Sequence, residues 1–328
     1  MSSEVRRLDE SDSVDRKLWR DFVHASNNGT LFHLPEFLDY HAPGRFRNHH
    51  LLATGSDGCV EAMMTGALVE REGETWLWSY PGASWGGPVT RDDVTLSRME
   101  RILEAIADYC RDQGWAGMGL TLPPQPYFRR FSNYTDFVLV KRGFGYQKRE
   151  LTAVIDLRRF GDDPELGFAE SARRGVRKAL RNGLVFEESS DFSSFYPVLE
   201  SNLQQRHNVR PTHTLAELER IRSLTGDSVR QFVVRDGESG QVYAGMVMFH
   251  CNPRVTLAFY ISHDDAFQSL RPVNLLYSGV IGWARDLGYH FLDLGTYTLN
   301  MEVNYGLCRF KESFSARGFF RNTFLGRV

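Results

Sequence analysis

The sequence predicts an α/β protein of two domains with mixed sheets, and three observations carry that reading. At 328 residues the chain is about twice the usual single-domain length. It runs through one order of elements twice: helices, antiparallel strands, a long helix and a further strand. Apolar residues make up 42% and charged residues 24%, a globular balance that argues against disorder. The expected domains are 1–150 and 151–328.

In the first half, Val5 to Leu8 reads as a strand and Arg16 to Ala25 as a helix stopped by Asn27-Asn28-Gly29. Strands follow at His49 to Thr54, Val60 to Val69 and Thr75 to Tyr80, separated by the hairpin-type turns Ser56-Asp57-Gly58 and Glu72-Gly73. The glycine-rich stretch Pro81 to Pro88 reads as a loop. After it, Leu96, Met99, Leu103, Ile106 and Tyr109 or Cys110 recur on one face of a helix from Asp93 to Gln113, with Gly114 as its C-cap. A strand at Ala116 to Leu122 and a helix across Tyr127 to Lys141 complete the half.

The joining segment Gln147 to Gly183 holds a strand-like run, Leu151 to Leu157, and then a helix. Phe168, Ala172, Val176 and Ala179 or Leu180 give that helix one packing face. Its other side carries Arg173, Arg174, Arg177, Lys178 and Arg181, five cations that repel one another unless an anion is near. Both a solvated face and a phosphate or nucleic-acid site fit the run.

In the second half, Leu184 to Glu187 reads as a strand, and Ser194 to Arg206 and Thr214 to Leu224 as helices, the latter with Thr214 and Glu217 in capping-box spacing. Strands at Val229 to Arg235, Val242 to His250 and Val255 to Ser262 precede a helix from Asn274 to Leu287. Further strands are expected at Phe291 to Leu294, around Leu307 to Phe314 and at Gly318 to Leu325.

The net charge of −2 provides no global pull toward nucleic acid or anionic lipid. Cys59, Cys110, Cys251 and Cys308 lie far apart with no CxxC pair, which fits reduced thiols and a cytoplasmic setting. There is no signal-like start and no run of about 18 apolar residues, so neither secretion nor membrane spanning is expected.

The chemistry concentrates near the C-terminus. Phe310-Lys311-Glu312-Ser313-Phe314 sets a lysine among aromatic residues, where desolvation makes a fixed ammonium a strong partner for a developing oxyanion. Asp293 in Phe291-Leu292-Asp293-Leu294-Gly295 is a candidate general base, amine-orienting group or strand-end residue bonded to backbone. Tyr297, Glu302 and Tyr305, between Asp293 and Lys311, are candidates for touching the acceptor. The chain lacks GxSxG, HExxH and GxxxxGK[ST] motifs and a well-placed GxGxxG. Acyl transfer needs none of these, because positioning and stabilisation of the tetrahedral oxygen suffice. His207 and His213 lack an acidic or cysteine ligand at metal spacing, so no metal is expected.

Four features together resemble the FemABX family, two GNAT-type acyltransferase domains fused in tandem: the segment Leu31-Phe32-His33-Leu34-Pro35-Glu36-Phe37, the basic helix Arg173 to Arg181, the turn Asp293-Leu294-Gly295, and Phe310-Lys311. The resemblance implies that Lys311 stabilises the acyl-transfer transition state. It also implies that the donor's phosphates meet the start of the helix after the fourth strand, here Gln268, Arg271 and Asn274. Tyr80 and Trp85, in a stretch similar to the family's glycine-containing loop, and Phe310 are then acceptor-side residues. The donor is expected on the second domain and the acceptor in a cleft between the two. An inserted-looking Glu312-Ser313 departs from the family's lysine turn.

The function this implies is transfer of an acyl group from a carrier, with acyl-CoA the expected co-substrate and no permanently bound cofactor, to an amine of a small or cell-envelope precursor. One alternative is an aminoacyl-tRNA-dependent ligase of peptidoglycan precursors, with tRNA held by Arg173, Arg177 and Arg181. Another is a non-catalytic GNAT-like module in polysaccharide biosynthesis.

Overall fold

The structure, a computed structural model, describes residues 3–161 and 163–328; of His207 only the backbone is described. The chain forms two compact units, one reaching Glu150 and including Phe320–Val328, the other Leu151–Phe319. The last nine residues thus leave the expected second domain, because Thr323 to Arg327 complete a sheet of the first unit.

In the first unit the elements are β1 (Glu4–Arg7), α1 (Ser13–Ala25), α2 (Pro35–Leu38), β2 (Arg47–Asn48), β3 (Leu51–Thr54), β4 (Val60–Thr65), β5 (Ala67–Arg71), β6 (Glu74–Ser79), β7 (Gly87–Thr90), α3 (Leu96–Asp112), β8 (Gly117–Thr121) and α4 (Tyr134–Lys141). Strand β9 (Gly145–Asp156) begins here and ends in the second unit. One sheet has the order β1-β3-β4-β7, antiparallel throughout. In the other, β8 runs parallel to β6, and β6, β5 and β2 follow antiparallel. Helix α3 buries Met99, Ile102, Leu103, Ile106 and Cys110 against residues of both sheets, among them Leu51, Met64, Leu77 and Met118.

Three local expectations change. The run Val60 to Val69 is two strands in two sheets, broken at Gly66. There the chain presses against the preceding histidines: Gly66 N donates to His50 Nδ1 at 3.1 Å, and its carbonyl accepts from His49 N at 2.7 Å. A Cβ on Gly66 would sit 2.8 Å from the His49 oxygen. The glycine-rich loop ends in strand β7, since Gly87 with φ +85° turns the chain back onto β4. The helix expected from Tyr127 starts only at Tyr134, after a 3-10 turn at Gln125–Tyr127.

The second unit contains α5 (Glu170–Arg181), β10 (Leu184–Ser189), α6 (Tyr196–His207), α7 (Leu215–Thr225), β11 (Val229–Asp236), β12 (Val242–Asn252), β13 (Val255–His263), α8 (Pro272–Asp286), β14 (Phe291–Thr296), the small hairpin β15 (Thr298–Leu299) and β16 (Glu302–Val303), and α9 (Tyr305–Glu312). Strand β17 (Arg317–Arg327) returns to the first unit and pairs with β8. Strands β10 to β13 form an antiparallel meander, β14 lies parallel to β13, and the far end of β9 is antiparallel to β14. A parallel pair needs a crossover, and α8 supplies it. Ala244, Met246 and Met248 of β12 join the core under α5 and α8, while the intervening Val247 and the following Phe249 are also buried, so both faces of β12 are covered.

Of the run around Leu307 to Phe314, expected as a strand, Leu307 to Glu312 belong to helix α9, and Ser313 and Phe314 lie in the turn after it. The Asn304 side chain accepts from Leu307 N at 3.0 Å and caps it.

Helices α5 and α8 meet at Gly175, where a Cβ would sit 2.5 Å from Asn274 Cγ. Gly175→Ala should therefore destabilise the fold by about 1–3 kcal/mol through overpacking, despite alanine's better helix propensity. Chemical denaturation should show the loss, and adding Asn274→Ala should recover part of it.

Candidate functional site

The site is organised by a fork in the second unit's sheet. Strand β13 pairs with β14 only at Val255–Phe291, Thr256–Leu292 and Leu257–Asp293. Beyond these three pairs the strands part, although β13 continues to His263 and β14 to Thr296. On its other side β13 carries an extra residue: Val247 pairs with Tyr260 and Met248 with Ala258, leaving Phe259 as a bulge. Bulges bend and twist a strand, which fits the divergence. The β14-facing edge of β13 from Ala258 on has no strand partner among the described residues, so its peptide groups line the fork.

Lys311 and Asp293 lie where the strands part. Lys311 is buried on α9, and its Nζ donates to three successive carbonyls of β14: Leu294 at 2.6 Å, Gly295 at 3.0 Å and Thr296 at 2.9 Å. An ammonium has three donors, and all are used. Burial pulls Lys311 down to about 8, while the nearby Asp293 charge raises it. Asp293 is fully buried; its Oδ1 accepts from Thr152 Oγ1 at 2.5 Å and from Gly295 N at 2.8 Å. Gly295, at φ +73°, makes the turn that points successive carbonyls at one ammonium.

Helix α8 starts at the C-terminal end of β13, after a 3-10 turn over Asp265–Leu270. Arg271, exposed and at φ +67°, occupies the N-cap, and Pro272 takes the first turn, where its missing N–H costs nothing. The first-turn N–H groups and the positive end of the helix lie beside an exposed arginine, a combination suited to phosphate. Gln268 is exposed, and its carbonyl accepts from Arg271 N. Asn274, in the first turn of α8, is buried and packed against Gly175. On α5, Arg173 and Arg177 both reach Glu170, at 2.9 and 2.7 Å, whereas Arg174, Lys178 and Arg181 are exposed.

The other candidates scatter. Phe310, half-buried, packs edge-on to Tyr277 at 5.1 Å. Tyr305 is exposed at the first position of α9, and Tyr297 is buried. Tyr80 and Trp85 are buried in the first unit with their polar ends engaged: Tyr80 Oη donates to Asn48 Oδ1 at 2.5 Å and Trp85 Nε1 to Thr30 Oγ1 at 3.2 Å. His33 is buried in the same unit, and burial pulls its imidazole down to about 4. Among the described residues no three metal-ligating side chains converge. No sequence pattern marks the Phe259 bulge or Thr152, whereas Gly295 stands out as part of a turn but without its contact to Lys311.

Residues 167–312 match the model of the GNAT acetyltransferase domain. No curated protein matches the sequence. Among solved structures the chain is similar to FemX, at 14% identity over 95% of this chain and 96% of that one, with a TM-score of 0.71. It is also similar to L-PGS from Bacillus licheniformis, at 13% identity over 95% and 91% with a TM-score of 0.61. A tandem GNAT protein from the clavulanic acid biosynthesis pathway, solved without AcCoA, matches at 12% identity over 99% and 98% with a TM-score of 0.59. The chain thus has a FemABX-like tandem GNAT fold, the α/β class expected from the sequence.

Two outcomes follow from the Lys311 clamp. Lys311→Met strands three carbonyls and the Asp293 charge, so unfolding free energy should fall by about 3–5 kcal/mol; loss of activity at unchanged stability would instead make the lysine a direct partner of the substrate. The second outcome concerns pH. Lysine's ordinary value near 10.4 applies to the unfolded chain, while the folded group is held near 8. Between these values the unfolded chain binds more protons, so the stability difference between wild type and Lys311→Met should grow as pH rises from about 8 to about 10. Denaturant titrations at both pH values test this.

Proposed function

We propose that the protein is an N-acyltransferase that takes an acyl group from an acyl-CoA-type thioester in the fork between β13 and β14. The observation that carries the reading is the fork itself, whose open β13 edge ends beside the start of α8 with Arg271. An unpaired strand edge can hydrogen-bond the amides of an extended pantetheine-like arm, as a peptide adds to a sheet. The helix start and Arg271 receive the phosphates. N–H groups of the β13 edge near the Phe259 bulge, in this reading, meet the oxygen of the tetrahedral intermediate. In this reading Lys311 keeps the β14 wall in place through the carbonyls of Leu294 to Thr296, and its buried charge adds to the field at the reacting carbonyl. The acceptor amine attacks, the carbonyl–sulfur bond breaks, and the thiol leaves with a proton. The GNAT domain model and the tandem GNAT relative named with AcCoA support a CoA donor.

A second reading, with an aminoacyl-tRNA donor and a cell-envelope acceptor, is favoured by the exposed Arg174, Lys178 and Arg181 on α5 and by the FemX-like fold. The smaller donor is preferred because Glu170 already occupies Arg173 and Arg177, two of the three arginines that would have to grip RNA.

Arg271→Glu should weaken binding of coenzyme A by about tenfold or more, the scale of a lost charge-assisted contact, and should raise the donor KM more than it lowers kcat. Calorimetry on the two proteins measures this. Unchanged affinity removes the phosphate role, and micromolar, steeply salt-dependent binding of uncharged tRNA in place of coenzyme A selects the second reading.

A further inference from the structure

Exposed aromatic residues are not spread evenly over this protein. All three exposed phenylalanines among the described residues, Phe131, Phe137 and Phe320, and two of the three exposed tyrosines, Tyr134 and Tyr146, belong to one region of the first unit. Phe137 is 54% and Phe320 51% exposed. Scattered exposed apolar residues need no explanation, but a contiguous patch marks an interaction surface.

Side-chain contacts tie α4 to the strands that carry Tyr146 and Phe320. On α4, Tyr134 and Phe137 fall three residues apart, as do Phe137 and the exposed Val140, so they share a face. Asn322 of β17 ties this helix to the adjoining strands: its Nδ2 donates to Asp136 Oδ1 at 2.7 Å, and its Oδ1 accepts from Arg149 Nε at 3.3 Å. The Arg149 guanidinium in turn lies over Tyr146 at 4.5 Å and over Phe320 at 3.9 Å.

The charge is one-sided. Residues 129–149 contain six basic residues, Arg129, Arg130, Lys141, Arg142, Lys148 and Arg149, against one acidic residue, Asp136. Asp136 is turned inward to Asn322, and burial pushes its carboxyl up. Lys141 and Arg142 pair with Glu100 and Glu104 of α3. Arg129 reaches the carbonyls of His24 and Ala25, which leaves its charge uncompensated by that contact. Arg130 and Lys148 are exposed beside the aromatic residues.

We propose that this face, formed by α4 with Tyr146, Arg149 and Phe320, docks the protein on an anionic phospholipid bilayer. Aromatic side chains on a short surface helix suit the headgroup–acyl boundary, where rings are buried shallowly and long cationic side chains reach outward to phosphate. Basic residues beside such a stripe add attraction to anionic headgroups. The stripe lies along a helix rather than in a cationic groove, the form that single-stranded nucleic acid requires. No helix of the described residues is long and apolar enough to cross a membrane, so docking would be peripheral. This inference is independent of the acyl donor.

The test is co-sedimentation of the full chain with phosphatidylcholine vesicles with and without phosphatidylglycerol. Wild type should bind the anionic vesicles, more weakly at high salt. Phe137→Ser/Phe320→Ser and Arg130→Glu/Lys148→Glu should each weaken binding by about tenfold or more, with a chemical-denaturation curve for each variant checking that the fold is retained. Absence of binding to anionic vesicles overturns the proposal. Full binding by the apolar variant overturns it too, since that would be adsorption by charge alone, as would full binding by the charge variant. Binding of uncharged tRNA that both variants abolish, without vesicle binding, would make the face an RNA surface instead.

Discussion

The second unit depends on one buried cation. Lys311 reaches from α9 to three carbonyls in a row at the end of β14, with the Asp293 charge next to it. Carbonyls at the end of a strand that has lost its neighbour must find donors or water. One ammonium meets three of them, and its own desolvation is offset only because the carbonyls and the carboxylate are already arranged around it. The clamp therefore lets β14 continue past the point where β13 has turned away.

In the proposed reading that divergence ties the fold to its chemistry. A sheet closed along its whole length would leave no peptide groups for a ligand. Here the bulge at Phe259 turns β13, Gly295 turns β14, and α8 begins at the mouth of the gap. Gly175 brings α5 against Asn274 of α8, so the helix that points its positive end at the fork is seated from behind. In the proposed reading, backbone groups supply most of the site.

Strong periodicity makes several elements legible in the sequence. Met99, Leu103, Ile106 and Cys110 recur at helical spacing and are buried on α3. Thr214 and Glu217 form the capping box their spacing announces. The pattern fails where local signals compete with packing. Val60 to Val69 is one apolar run, yet the approach of His49 and His50 at Gly66 divides it between two sheets. Phe310 to Phe314 has the aromatic composition of a strand, yet Phe310 to Glu312 lie in the helix that the Asn304 side chain caps.

By itself the sequence determined the α/β class, the helix faces and the capping box, and it singled out Lys311, Asp293 and the approach to α8 as candidates, because periodicity, caps and an isolated apolar-flanked charge are local properties. Tertiary structure alone decided where β13 and β14 part, which carbonyls Lys311 holds, that Asn274 lies against Gly175, and that β17 returns to the first unit. Those outcomes rest on register and on contacts between residues far apart in the chain. Strand register changes with a single inserted residue such as Phe259, and no local pattern in the sequence records which partner each strand will meet.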